Sequence, residues 1–333
     1  MIRIGTYDIF EDDRHGVFQV RHKDEATTIE FRDDARRTVF IQIVKHLADH
    51  PESSPDTLFG ICEIDDQPLV MDVIDQLTEL GIISDETVRS LPHNLLEAQN
   101  GLFNRGGSEY GTASELQERV AQTNLTFFES PHLADLLDAK AHASGFEHLN
   151  HFDVTASHTR EDVDQIVGDT DLMMVNGDPW NPQLLEWINL AALEHQTPWI
   201  FLSGTDATQG TVGPLFFGDR SGCYECLLNR QKSCKDFLPY FEAYEQTLRD
   251  QEMTGQPGRT YAAVYDLLTS IAMLEAVKFV TKAAVPVLYK QFLTLQVRDY
   301  AVQTHSVLKV PDCPACGQEE IRPSPWLEPV SLS

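Results

Sequence analysis

Four of the six cysteines fall into two Cys-x-x-Cys pairs, and no other feature constrains the fold as tightly. The first pair lies in Gly222-Cys223-Tyr224-Glu225-Cys226, the second in Asp312-Cys313-Pro314-Ala315-Cys316-Gly317. Two thiolates three residues apart on a tight turn can take one side of a tetrahedral ion, and two such pairs complete a four-sulfur zinc site. The 86 residues between the pairs far exceed a zinc-finger spacing, so the metal is expected to tie a loop beside the fold to the C-terminal end of the chain. With thiolates at Cys223, Cys226, Cys313 and Cys316 no position is left for a catalytic water, which makes the expected zinc structural. Of the other two cysteines, Cys62 reads as a core helix residue. Cys234 stands beside Lys232 and Lys235 and is the candidate nucleophile, because positive charge lowers a thiol pKa.

Charge removes whole classes of function. Among 333 residues, 52 are acidic and 25 basic, a formal net charge of −27 spread along the chain. A phosphate backbone is repelled by most of such a surface and no Lys/Arg cluster interrupts it, so nucleic acid is not an expected partner. Met1-Ile2-Arg3-Ile4-Gly5-Thr6-Tyr7-Asp8 has neither the basic nor the apolar region of a secretion signal. The longest apolar stretch, Tyr261 to Val287, is broken by Asp266, Glu275, Lys278 and Lys282, too many charges for a membrane span. The expected location is therefore the cytoplasm, where cysteines are thiols or metal ligands.

The chain divides into a small N-terminal unit, 1–88, a linker, 89–115, and an α/β domain, 116–333. In the first, Val17 to His22 and Thr27 to Phe31 alternate as strands, and Arg3 to Phe10 offers another. Asp33 or Asp34 can cap a helix carrying Val39, Phe40, Ile43, Val44 and Leu47; Ser53/Ser54-Pro55 opens a second; a third runs from about Asp66 to Leu80. Three strands followed by three helices suggest a winged-helix-like domain, although acidic residues such as Asp72, Asp75 and Glu79 argue against DNA. Glycines and asparagines between Ser90 and Gly111 mark the linker. Beyond it, strands at Leu125–Phe128, His148–Val154, Asp171–Val175 and Trp199–Leu202 alternate with helices at Leu133–Ala143 and Pro182–Glu194. That order predicts a Rossmann-like, mainly parallel sheet covered on both faces.

A nucleotide-binding version of such a sheet carries glycines after its first strand, where backbone approaches phosphate. Here the turn reads Phe128-Glu129-Ser130-Pro131-His132-Leu133. Glu129 brings a negative charge and Pro131 removes an amide donor, so ATP is not expected to bind this chain. The only nearby glycine pair, Gly106-Gly107, has no convincing strand before it.

The run Gly213-Pro214-Leu215-Phe216-Phe217-Gly218, then Gly222 to Leu227 and Arg230, resembles the ubiquitin-activating-type, ThiF-like adenylyltransferase superfamily. With His305 to Pro311 before the second cysteine pair, Asp171 to Val175 and Thr197-Pro198-Trp199, it is similar to one branch, the partner proteins of YcaO cyclodehydratases in thiazole/oxazole-modified peptide biosynthesis. The resemblance spans roughly residues 120 to 320, and the N-terminal 88 residues look like the peptide-recognition element of such partners. It implies that a precursor leader peptide adds as a strand at Thr27, Thr28, Ile29, Glu30 and Phe31 and packs on the third helix at Leu69, Val73 and Leu77. It further implies a YcaO cyclodehydratase as partner, which consumes the ATP and forms azoline rings at Cys, Ser or Thr, and a sheet domain able to pair as a homodimer. The chain itself is then non-catalytic. The alternative is an active adenylating enzyme carrying acyl groups on Cys234, and a third reading is a purely structural scaffold.

Overall fold

A computed structural model describes residues 2–4, 8–12, 17–22, 25–50, 52–62, 67–80, 82–85, 113–204, 208–258, 261–282 and 284–317. The expected linker up to residue 112, including Gly106-Gly107, lies outside the described residues. The chain forms two compact units, one of residues 1–105 with 112–115 and one of residues 106–111 with 116–333.

In the first unit β1 (Ile2–Ile4), β2 (Asp8–Asp12), β3 (Val17–His22) and β4 (Glu25–Ile29) precede α1 (Asp34–Asp49), followed by β5 (Glu52–Ser53), α2 (Pro55–Ile61), α3 (Gln67–Glu79) and β6 (Ile83–Asp85). There are two three-stranded sheets, β5-β1-β6 and β2-β3-β4. The stretch Arg3 to Phe10 is therefore not one strand: Ile2–Ile4 and Asp8–Asp12 belong to different sheets, and the short β5 and β6 are needed to pair β1. Helix starts follow local chemistry. The Asp33 carboxylate accepts from the Arg36 amide at 2.8 Å, and Ser54 caps α2 with Pro55 in its first turn. Val39, Phe40, Ile43 and Leu47 of α1, Leu58 of α2 and Val70, Val73, Ile74 and Leu77 of α3 converge on one core with Phe18 and Val20.

Helix α4 (Ala113–Gln122) has its first residues, 113–115, in the first unit and the rest in the second, where β7 (Asn124–Glu129), α5 (Ala134–Ala143), β8 (His148–Asp153), α6 (Arg160–Gly168), β9 (Leu172–Asn176), α7 (Pro182–Glu194) and β10 (Trp199–Ser203) follow. After β11 (Gln209–Phe216) come α8 (Tyr224–Ser233), α9 (Leu238–Asp250), α10 (Ala262–Thr281), β12 (Gln291–Gln296) and β13 (Val302–Ser306). The seven-stranded sheet has the order β13-β12-β11-β10-β9-β7-β8. Strands β8, β7, β9 and β10 are parallel, and β11 to β13 extend them antiparallel. Buried on both faces, β7 and β9 read as continuous apolar runs. Helices α5 and α10 pack together on one face, α10 resting on β10 and β11, while α6 and α7 pair on the other. Trp199, Phe201 and Phe216 from the strands meet Leu184, Ile188, Tyr224 and Leu227 from the helices in one core. The apolar stretch Tyr261 to Val287 holds α10; among the described residues no helix is long and apolar enough to cross a membrane.

Candidate functional site

The two cysteine pairs meet. Cys223 is the N-cap of α8 and Cys226 lies in its first turn, so both thiols stand on one side of the helix start. The second pair sits on a turn in which the Gly317 amide donates to the Cys313 carbonyl at 2.7 Å. A Cβ at Gly317 would lie 2.5 Å from that carbonyl oxygen, so the tight turn requires glycine. Sulfur separations are 3.9 Å for Cys223 to Cys226, 3.6 Å for Cys223 to Cys313 and 3.5 Å for Cys226 to Cys316, and all four sulfurs lie within 4.8 Å of one another. A tetrahedral ion with bonds of about 2.3 Å to sulfur places its ligands roughly 3.8 Å apart. The donor set and its spacing thus fit a metal ion.

Electrostatics agree. Burial, with the neighbouring thiolates adding to it, holds the Cys223 thiol far above its ordinary range; burial likewise pushes Cys316 up to about 12. Burial also opposes ionisation of Cys226, but it is outweighed by the Val310 amide, which donates to its sulfur at 3.3 Å, and by hydrogen bonds from the cysteines around it, so this thiol falls below the usual range. A divalent cation relieves such crowding and favours deprotonation of all four.

Cys234 is exposed at the C-cap of α8. The charges expected to activate it are engaged elsewhere: Lys232 Nζ lies 2.7 Å from the Glu245 carboxylate, and Lys235 sits over the Phe241 ring.

The sheet reverses its strand order between β7 and β9, and open α/β sheets bind ligands in the crevice at the carboxyl ends of such strands. Here residues at those strand ends bond to one another. After β7, Ser130 opens a 3-10 turn at Pro131–Leu133 and its hydroxyl donates to the Asp178 carbonyl at 3.1 Å. The Asp178 carboxylate accepts from the Gly258 amide at 2.6 Å and from the Tyr265 hydroxyl at 2.7 Å. A Cβ at Gly258 would lie 2.7 Å from both Asp178 and the Gly204 carbonyl. Sequence reading missed this network, although the turn-forming run Asn176-Gly177-Asp178-Pro179 marks one side of it. Glu129 needs correction. It is not an open negative charge: its side chain is buried at the end of β7 and accepts from His151 at 2.8 Å, and burial pushes its carboxyl up to about 7. Burial pulls the His151 imidazolium down, but the hydrogen bonds and charges of Glu129 and Asp138 together leave it raised.

In the N-terminal unit, the strand expected at Thr27–Phe31 is Glu25–Ile29, with Glu30 and Phe31 following it. Among the described residues β4 pairs only with β3, from Phe18 opposite Ile29 to His22 opposite Glu25, and so has an open edge. Thr27, Thr28 and Glu30 are exposed; Ile29, Phe31 and Leu69 are partly buried against the same core. Val73 and Leu77, expected in a groove, are 5% and 2% exposed and belong to the core, because the heptad-spaced face of α3 that carries them packs inward. The outer face of α3 presents Met71, and Leu80 follows its end.

A model of the ThiF family matches residues 139–315, more than half of the chain. The chain belongs to the ThiF family. No curated protein matches it in sequence. Among solved structures, a heterocyclase in complex with substrate and cofactor is similar over 100% of this chain and 42% of its own, with a TM-score of 0.69 and 17% identity. The heterocyclase TruD matches 95% of this chain and 42% of its own, at TM-score 0.64 and 17% identity. E. coli MccB with MccA-N7isoASN matches 95% and 99%, at TM-score 0.53 and 15% identity. This ThiF-family chain therefore spans less than half the length of the two heterocyclases, with which it shares a fold.

Proposed function

We propose that the chain is the leader-binding, non-catalytic partner of an ATP-dependent YcaO heterocyclase that forms azoline rings in a ribosomally made peptide. The observation that carries the reading is the open edge of β4 beside Ile29, Phe31 and Leu69. An added peptide strand gains main-chain hydrogen bonds whatever its sequence, while the apolar rim supplies selectivity. That suits a protein that holds one leader while several downstream residues are processed, since tethering makes each encounter intramolecular. The structural likeness to heterocyclases supports the same role. The metal centre, zinc by its sulfur-only donors, then holds the sheet unit together and takes no part in the chemistry.

A second reading, an adenylating enzyme with Cys234 as acyl carrier, draws support from family membership and from the MccB fold. The contacts among Ser130, Asp178, Gly258 and Tyr265 in the crevice weigh against it. Two measurements separate the readings. A fluorescent leader peptide encoded beside this gene should bind saturably to the full chain and lose binding when residues 1–88 are deleted; unchanged binding would overturn the recognition role. Isolated protein should catalyse no ATP–pyrophosphate exchange, and robust exchange lost in Cys234→Ala would establish the rival.

A further inference from the structure

On the second unit, opposite the crevice, a cavity of about 720 Å³ opens between the end of α4, the start of β9, the turn after β11 and the last turn of α10. Four of the chain's 25 basic residues line it: Arg119, Arg220, Lys278 and Lys282. Elsewhere Arg36, Arg37, Lys140, Lys232 and Arg249 each meet a carboxylate. Here Lys278 bonds the buried Glu275 at 2.6 Å, but Arg119, Arg220 and Lys282 have no carboxylate partner among the described residues. The one acid on the wall, Asp171, is engaged by the Asn124 amide at 2.9 Å. The remaining wall carries Gln122 and Thr123 and is otherwise mainly apolar, with Phe217 under the Arg220 guanidinium, Tyr289 beside it and Val285 81% exposed.

We propose that this cleft docks an acidic peptide segment carrying an apolar anchor, presented by a protein partner. On a surface of net charge −27, three cations without a carboxylate partner among the described residues, gathered in one cleft, favour an approaching acidic segment. A compact phosphate is a poorer match. The cavity receives the C-terminal turn of α10, whose carbonyls repel dense negative charge, where phosphate sites use helix N-termini. Phe217, Tyr289 and Val285 leave apolar surface that only an apolar side chain covers productively.

The test uses fluorescence anisotropy with the full chain and a labelled short peptide of glutamates flanking phenylalanine and leucine. Wild type and the control Arg160→Glu, on an exposed site of α6, should bind it alike, with affinity falling as salt rises. The double variant Arg220→Glu/Lys282→Asn should bind roughly tenfold more weakly or worse, with unchanged circular dichroism. Asparagine tolerates the left-handed backbone at position 282, φ 58°. Arg119→Gln, which neutralises an exposed helix residue, is the second variant and should weaken binding in the same direction. Equal binding by the variants, equal binding of a lysine-for-glutamate peptide, binding of pyrophosphate with no peptide binding, or self-association that the double variant abolishes would each overturn the proposal.

Discussion

Glu129 shows how one buried carboxyl couples this fold to pH. Its pKa is about 7 in the folded chain against an ordinary 4.5, so between those values the folded state binds more protons than the unfolded one. Stability must then fall as pH rises across that window. His151, also raised, adds in the same direction: its contribution is present below its ordinary pKa and lost as pH passes the folded value. Urea melts of wild type and Glu129→Gln should diverge with pH, the Gln variant gaining on wild type from about pH 5 to pH 8. Parallel curves would show that the carboxyl titrates normally. The cysteines were legible in the sequence because each pair lies within one turn. The surroundings of Glu129 were not, since its partner His151 comes from the neighbouring strand and Asp138, which bonds the other nitrogen of His151, from α5, a meeting that only sheet register decides.

Helix α3 marks where periodicity stops informing function. Its apolar residues Val70, Val73, Ile74 and Leu77 were readable as one face, but spacing alone does not say whether that face meets a core or a ligand. The structure assigns Val73 and Leu77 to the core and leaves Leu69 on the rim with Ile29 and Phe31. Leu77→Ala should therefore cost about 2–5 kcal/mol in urea unfolding. Leu69→Ala, removing a partly buried side chain, should cost clearly less while weakening leader binding. The opposite ranking would place Leu77 in the groove. Short apolar runs similarly located β7, β9 and β10, whereas β12 and β13, polar on their open faces, carry no such run.

The whole molecule is two units, each with its own core, and only the second holds the thiol quartet. Removing metal with a chelator, or substituting Cys223→Ser, should lower the melting temperature of the sheet unit, because ligation energy is folding energy. The transition of the N-terminal unit should stay in place, and purified protein should contain zinc by atomic absorption. An unchanged melting profile would remove the metal from the structural account. The order of strands and helices was visible from alternation; the merging of the antiparallel half with it depended on contacts between residues far apart in sequence.

Cys223 and Cys313 are separated by 90 positions yet lie 3.6 Å apart. Everything from α8 through β13 is therefore enclosed by the two halves of a single clasp, and neither half can close alone. Metal affinity becomes a gauge of how well that whole span is assembled, sensitive to a loosened β12 or a displaced α10 as much as to the sulfurs themselves. A cobalt charge-transfer band would then report the folding of residues that never touch the ion.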